Sequence, residues 1–201
     1  MSTTRWLHPA GTLVAAATLA AAAPLHITPT VVLAKHVDVI RATLKGASQY
    51  FERTVDIGRD DLSRIRRAGD FTPETGEFHF YYGTDAGGQV AGVVLFPQVN
   101  NQHGPLEVGI AVGPDGAVTR VIVTKATVET KPWVQQAVHA GFLAAFEGLR
   151  RPEDADGALA ALSRDEIGAM PYYMAEQTAL AVRRGLVLYQ VLFAGSAAAS
   201  E

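Results

Sequence analysis

Apolar residues recur along this chain in two periods, and each change of period marks a new element. Leu33, Val37, Ile40 and Leu44 follow one another at steps of four, three and four, the stripe of an amphipathic helix from about Val31 that Gly46 can stop. A short helix is predicted next, with Asp60 or Asp61 as its N-cap, Leu62 and Ile65 facing inward and Gly69 at its end. The period then changes to two. Phe78, Phe80 and Tyr82 alternate, GTDAGG (Gly83–Gly88) turns the chain, and VAGVVLF (Val90–Phe96) runs back as the second arm of a hairpin. A second hairpin follows: Leu106, Val108, Ile110 and Val112 alternate, GPDG (Gly113–Gly116) has turn chemistry, and AVTRVIV (Ala117–Val123) returns. Val93–Phe96 and Val121–Val123 are continuous apolar runs, which predicts strands covered on both faces.

Beyond Trp133 the helical period resumes through Val134, Val138, Phe142, Ala145 and Leu149, with Thr130 as a cap and Pro132 in the first turn, where its missing donor costs nothing. Arg150–Gly157 reads as a charged loop. A strong final helix is predicted over about Met174–Phe193, with Ala175, Ala179, Val182, Leu186 and Tyr189 on its apolar side. The fold class is therefore α+β: an antiparallel sheet of two hairpins flanked by helices.

Composition narrows the setting. The chain has 201 residues, 48% hydrophobic and 18% charged, enough for one domain with a substantial core. A net charge of −3 with no basic block speaks against nucleic acid as a partner. Cysteine is absent, which removes disulfides, thiolate metal sites and thioether-linked haem together. Near the start, Arg5 precedes GTLVAAATLAAAA (Gly11–Ala23), which reads as an export signal or, alternatively, an N-terminal anchor. Pro24 and His26 interrupt that run before it reaches the roughly 18 apolar residues of a spanning helix. Residues 1–30 are thus assigned to a leader, 31–194 to the domain and 195–201 to a flexible tail, in an exported protein.

Familiar catalytic signatures are missing from the sequence: no G-x-S-x-G, H-E-x-x-H, P-loop or dinucleotide fingerprint occurs. His36, His79, His103 and His139 are not spaced as a zinc pair. Three stretches carry the candidate chemistry. The loop within FPQVNNQHGPLEVGI (Phe96–Ile110) sets Asn, Gln and His on the approach to a regular strand. The run TRVIVTKATVETKPW (Thr119–Trp133) begins as a strand and ends on a polar corner, where Thr130-Lys131-Pro132 opens a helix with free N–H groups and Glu129 can accept from a ring N–H. In QTALAVRRG (Gln177–Gly185), Thr178 lies beside the polar stripe of the last helix.

Together these stretches resemble the FMN-binding domain found in the flavin subunits of Na⁺-translocating NADH:quinone reductases and Rnf complexes and at the N-terminus of the nitrous-oxide-reductase regulator. That family pattern is a glycine-led strand, a D-G turn, a second strand, a Glu-Thr-Pro-Gly corner and a later Ser/Asp-Gly-Ala-Thr motif whose threonine carries FMN. His103–Val134 matches the first part, with Asp115-Gly116 at the turn and Glu129, Thr130 and Pro132 at the corner; Lys131 is extra and Trp133 stands for the glycine. The resemblance implies a cofactor site of His103, Gly104, Glu129, Thr130, Pro132, Trp133 and Thr178. Thr178 falls at the threonine position, but Glu176 and Gln177 replace the small residues, and a carboxylate beside a phosphate diester is repulsive. FMN is thus expected non-covalently, with a covalent link at Thr178 the disfavoured alternative. The implied function is an extracytoplasmic, membrane-associated electron-transfer flavoprotein, non-catalytic in itself, working with membrane or periplasmic redox proteins and served by a flavin transferase where attachment occurs. The alternatives are a protein of that fold that has lost flavin and acts as a periplasmic binding or assembly factor, and haem bound through His79 or His103.

Overall fold

The computed structural model describes residues 28–74 and 76–195. The expected leader therefore lies outside the described residues except for its last positions, and the expected tail except for Gly195. The elements in chain order are β1 (Thr30–Val32), α1 (His36–Thr43), β2 (Gln49–Asp56), α2 (Arg59–Gly69), β3 (Glu77–Thr84), β4 (Val90–Leu95), β5 (Gln98–Asn101), β6 (Gly104–Val112), β7 (Val118–Thr127), α3 (Lys131–His139), α4 (Arg164–Ile167) and α5 (Ala169–Leu188). Short 3₁₀ segments at Phe142–Phe146 and Pro152–Ala161 join α3 to α4, and a π-turn at Tyr189–Ala194 ends the last helix. The fold is α+β. Its sheet has seven strands in the order β1-β7-β6-β4-β3-β2, with β5 pairing β6, and these strands pair antiparallel.

Both predicted hairpins are present, as β3–β4 and β6–β7. In the second, Gly116 adopts φ +79° and Asp115 Oδ1 accepts the Ala117 N–H at 3.1 Å, so D-G chemistry makes the turn. The continuous apolar runs also read correctly. Val93 and Leu95 point into the main core while Val94 points into a second cluster with Val39, Leu44 and Ala111. The main core lies between the opposite sheet face and α5, where Phe80, Leu106, Ile110 and Val121 meet Ala175, Val182 and Leu186.

Several expectations are corrected. The helix read from Val31 starts only at His36, because Thr30–Val32 pair with the edge of β7 and Leu33 N–H still reaches the Thr124 carbonyl at 2.8 Å. Thr30, assigned to the leader, belongs to that strand. The second helix has Gly58 as N-cap, and Asp61 reaches back to accept the Gly58 N–H at 3.1 Å. Strand β2 was not foreseen: it is an edge strand with largely exposed side chains, held by its backbone ladder to β3. The stripe from Val134 to Leu149 is not one helix. α3 ends at His139 and Gly141 takes φ +84°, so Phe142 and Phe146 enter the core from a 3₁₀ turn. Likewise, the Arg150–Gly157 loop is partly the 3₁₀ segment from Pro152, which buries Ala155 and Ala158.

Helix α5 comes closest to the sheet at Gly185, where an added Cβ would sit 2.4 Å from Ile110 Cδ1 and 2.9 Å from Pro97 Cγ. Overpacking of this kind costs about 1–3 kcal/mol. Gly185→Val should therefore lower the unfolding free energy by about 2 kcal/mol in a urea titration. Undiminished stability would mean that the helix does not seat there.

Candidate functional site

Two sites occupy opposite ends of the β5–β6 hairpin. The first is the polar corner between β7 and α3. Thr130 does not cap the helix with its side chain. Its hydroxyl instead bonds that of Thr127 at 2.9 Å and accepts the Thr127 N–H at 3.1 Å, while the Thr130 N–H donates to Thr127 Oγ1 at 3.2 Å. Both threonines are buried. Gly104 permits the corner to close: it has φ +98°, and a Cβ there would lie 2.7 Å from the Thr127 methyl. Pro132 occupies the first turn of α3. Thr130, Gly104 and Pro132 thus shape the corner and present no reactive group.

Above this frame His103, Glu129 and Trp133 come together. His103 N–H donates to Asn101 Oδ1 at 2.8 Å, which orders the turn, and His103 Nδ1 lies 3.1 Å from Glu129 Oε1. The imidazole packs edge-on against Trp133, with centroids 5.3 Å apart, and against Tyr173 at 6.0 Å. Tyr173 comes from α5, and the end of the preceding α4 is tied to α3 by Gln136 Nε2 donating to the Ile167 carbonyl at 2.9 Å. Sequence reasoning passed over Tyr173. Its ring reaches His103 only through the long-range packing of α5 beside β6, which no local spacing reports.

Thr178 is not part of this group of rings. It lies about 7.5 Å further along α5 than Tyr173, is 2% exposed, and donates its hydroxyl to the Met174 carbonyl at 2.9 Å. That is the ordinary bond of a buried helical threonine.

The second site is a cleft of about 330 Å³ that uses none of the residues expected to hold FMN, though His79, the alternative haem ligand, and Phe96, Pro97, Gln98 and Glu107 of the Phe96–Ile110 stretch line it. It arises where the sheet parts. The last β3–β4 pair is Phe80 with Leu95, so Glu77–His79 at the start of β3 pair only with β2. The chain bends at Phe96-Pro97, and β5 then pairs with β6 alone. Phe71, Phe78, Tyr81 and Phe96 wall the gap, with His36, Arg184 and Leu188 at its sides. His36 stacks on Phe96 at 3.8 Å and 14°. Asn100 Nδ2 donates to Glu74 Oε2 at 2.6 Å, joining β5 to the loop at the rim.

Glu107 anchors this end. It is 7% exposed, and its carboxylate accepts from His36 Nε2 at 2.6 Å, Thr124 Oγ1 at 2.8 Å and Lys125 Nζ at 2.8 Å. Burial pushes the Glu107 carboxyl up, but the bonds from His36, Lys125 and Thr124 outweigh it and hold the group below its ordinary value. Burial also raises the Tyr81 phenol, reinforced by the carboxylates of Glu52 and Glu107. Compared with known proteins, the chain matches no family model, no curated protein and no solved structure.

A carboxyl lowered by folding stabilises the protein above its ordinary value of 4.5, and that contribution is lost as pH falls through the lower folded value. Glu107→Gln should therefore cost about 1–3 kcal/mol at neutral pH. The difference between parent and variant should shrink as denaturation is measured at successively lower pH below 4.5. A gap independent of pH would contradict the charge-assisted hub.

Proposed function

We propose that this protein is an extracytoplasmic flavin-binding module of the FMN-binding-domain type, holding FMN non-covalently at the corner and passing electrons between membrane or periplasmic redox partners. The observation that carries this reading is the convergence of His103, Glu129 and Trp133, three residues from separated positions, with Tyr173 beside them. The corner offers what a flat, polar-edged ring system needs. Trp133 and Tyr173 supply aromatic surface, and the partly exposed Glu129 carboxylate accepts from a ring N–H. The N–H groups of Ala169 and Met170, in the first turn of α5, lack helical partners and suit a phosphate. FMN, when bound, supplies the redox chemistry.

Covalent attachment does not fit these residues. Thr178 is buried with its hydroxyl engaged, and Met170 has no hydroxyl. The same two facts favour the second reading, in which flavin has been lost and the corner serves a periplasmic binding or assembly role. Among the described residues no helix is long and apolar enough to cross a membrane, so membrane association in this proposal rests on the leader or on partners.

Titrating the purified full chain with FMN separates the readings. Flavin fluorescence should change saturably, and acid should release the flavin to the supernatant. Trp133→Ala and Glu129→Gln should each weaken binding about tenfold, the equivalent of about 1.4 kcal/mol, while Thr178→Ala should change nothing. A protein that takes up no flavin would hand the function to the second reading.

A further inference from the structure

We propose that the cleft between β3 and β5 is a second binding site, for a planar aromatic carboxylate whose acid group pairs with Arg184 and whose ring lies among Phe71, Phe78 and Phe96. Arg184 Nε is the one buried side-chain nitrogen or oxygen among the described residues that meets no hydrogen-bond partner. Buried donors are satisfied as a rule, so this one requires a reason. The guanidinium is held over the Phe71 ring, 5.2 Å from its centroid, and it lines the cleft. A planar fork whose buried Nε still lacks an acceptor matches the two oxygens of a carboxylate.

The remaining polar groups indicate what else the ligand must be. Glu107 is bonded to His36, Thr124 and Lys125, Glu74 to Asn100, and His79 to Glu52 and Thr54. Each of these groups already has a partner, and Arg184 Nε is the buried donor left for an acceptor group of the ligand. Glu74 and Glu77 stand in the same lining and repel any anion, so the ligand carries no more than the single charge that Arg184 offsets. The volume of about 330 Å³ suits an aromatic body and far exceeds a bare inorganic anion. A monoanion on a flat ring satisfies all of these constraints. The proposal is independent of flavin at the corner, because the two sites share no residue.

The test is a fluorescence titration of the full chain with anthranilate. Binding should be saturable, competed by benzoate, and about tenfold or more weaker for methyl anthranilate, which keeps the ring and removes the charge. Arg184→Met should weaken anthranilate by at least about tenfold while melting close to the parent, and Trp133→Ala should leave it unchanged. Should Arg184→Met not fold, amide shifts of the parent with anthranilate give the answer: they should gather at Phe71, Phe96 and Arg184. Absence of saturable binding, equal binding of the methyl ester, or shifts gathered at the corner would each overturn the proposal.

Discussion

Strand β6 must be paired along its whole length, and one neighbour cannot do it on the β4 side. β4 reaches only Ile110–Val112, β5 takes Gly104–Glu107, and the chain between them bends at Phe96-Pro97. The bend is tied down where Val108 N–H donates to the Pro97 carbonyl at 3.0 Å. Much follows from it. The sheet parts, which makes the cleft. Helix α5 seats its Gly185 against Pro97 and Ile110, and this fixes Arg184, the preceding residue, at the side of that cleft. Proline suits such a position because a residue leaving one ladder for another gives up nothing by lacking an N–H.

The hairpin that the bend begins connects the two sites mechanically. One end carries Glu107, whose carboxylate binds α1 through His36 and β7 through Thr124 and Lys125. The other carries His103, about 13 Å away along the strand. The two ends of this element differ in how their polar groups are satisfied. At the Glu107 end the polar groups satisfy one another within the fold; at the His103 end a partly exposed imidazole and carboxylate face outward over a buried pair of threonines. That division explains why the strand-to-helix run ends on Glu-Thr-Lys-Pro-Trp. Thr130 locks the corner from inside, and Glu129 and Trp133 hold His103 above it.

What could be read in advance follows the strength of local signals. The two hairpins alternate cleanly and carry D-G or Gly-rich turns, and the apolar runs at Val93 and Val121 announced burial on both faces. Strand β2 gave no such signal, since QYFERTVD buries almost nothing and owes its place to hydrogen bonds with β3. The break after His139 was hidden because Phe142 keeps helical spacing while Gly141 and Gly148 adopt positive φ. At the corner, a motif led to His103, Glu129 and Trp133, but it placed Thr178 by distance along the chain, where the helix buries it. The Phe96–Ile110 stretch was read as carrying candidate chemistry, but Tyr173 and the far walls of the cleft, Phe71, Phe78 and Arg184, escaped notice because they depend on long-range contacts, and no spacing in one segment reports which side chains another segment brings beside it.

Reversible flavin binding at the corner, as proposed, is tested most directly by mapping where FMN binds. An amide correlation spectrum of isotopically labelled protein, recorded as FMN is added, would serve. Progressive shifts should appear at His103, Glu129, Trp133, Tyr173 and the Ala169–Met170 turn, with Phe71, Phe96 and Arg184 unmoved. Shifts concentrated at the cleft residues, or no shifts at saturating FMN, would contradict it.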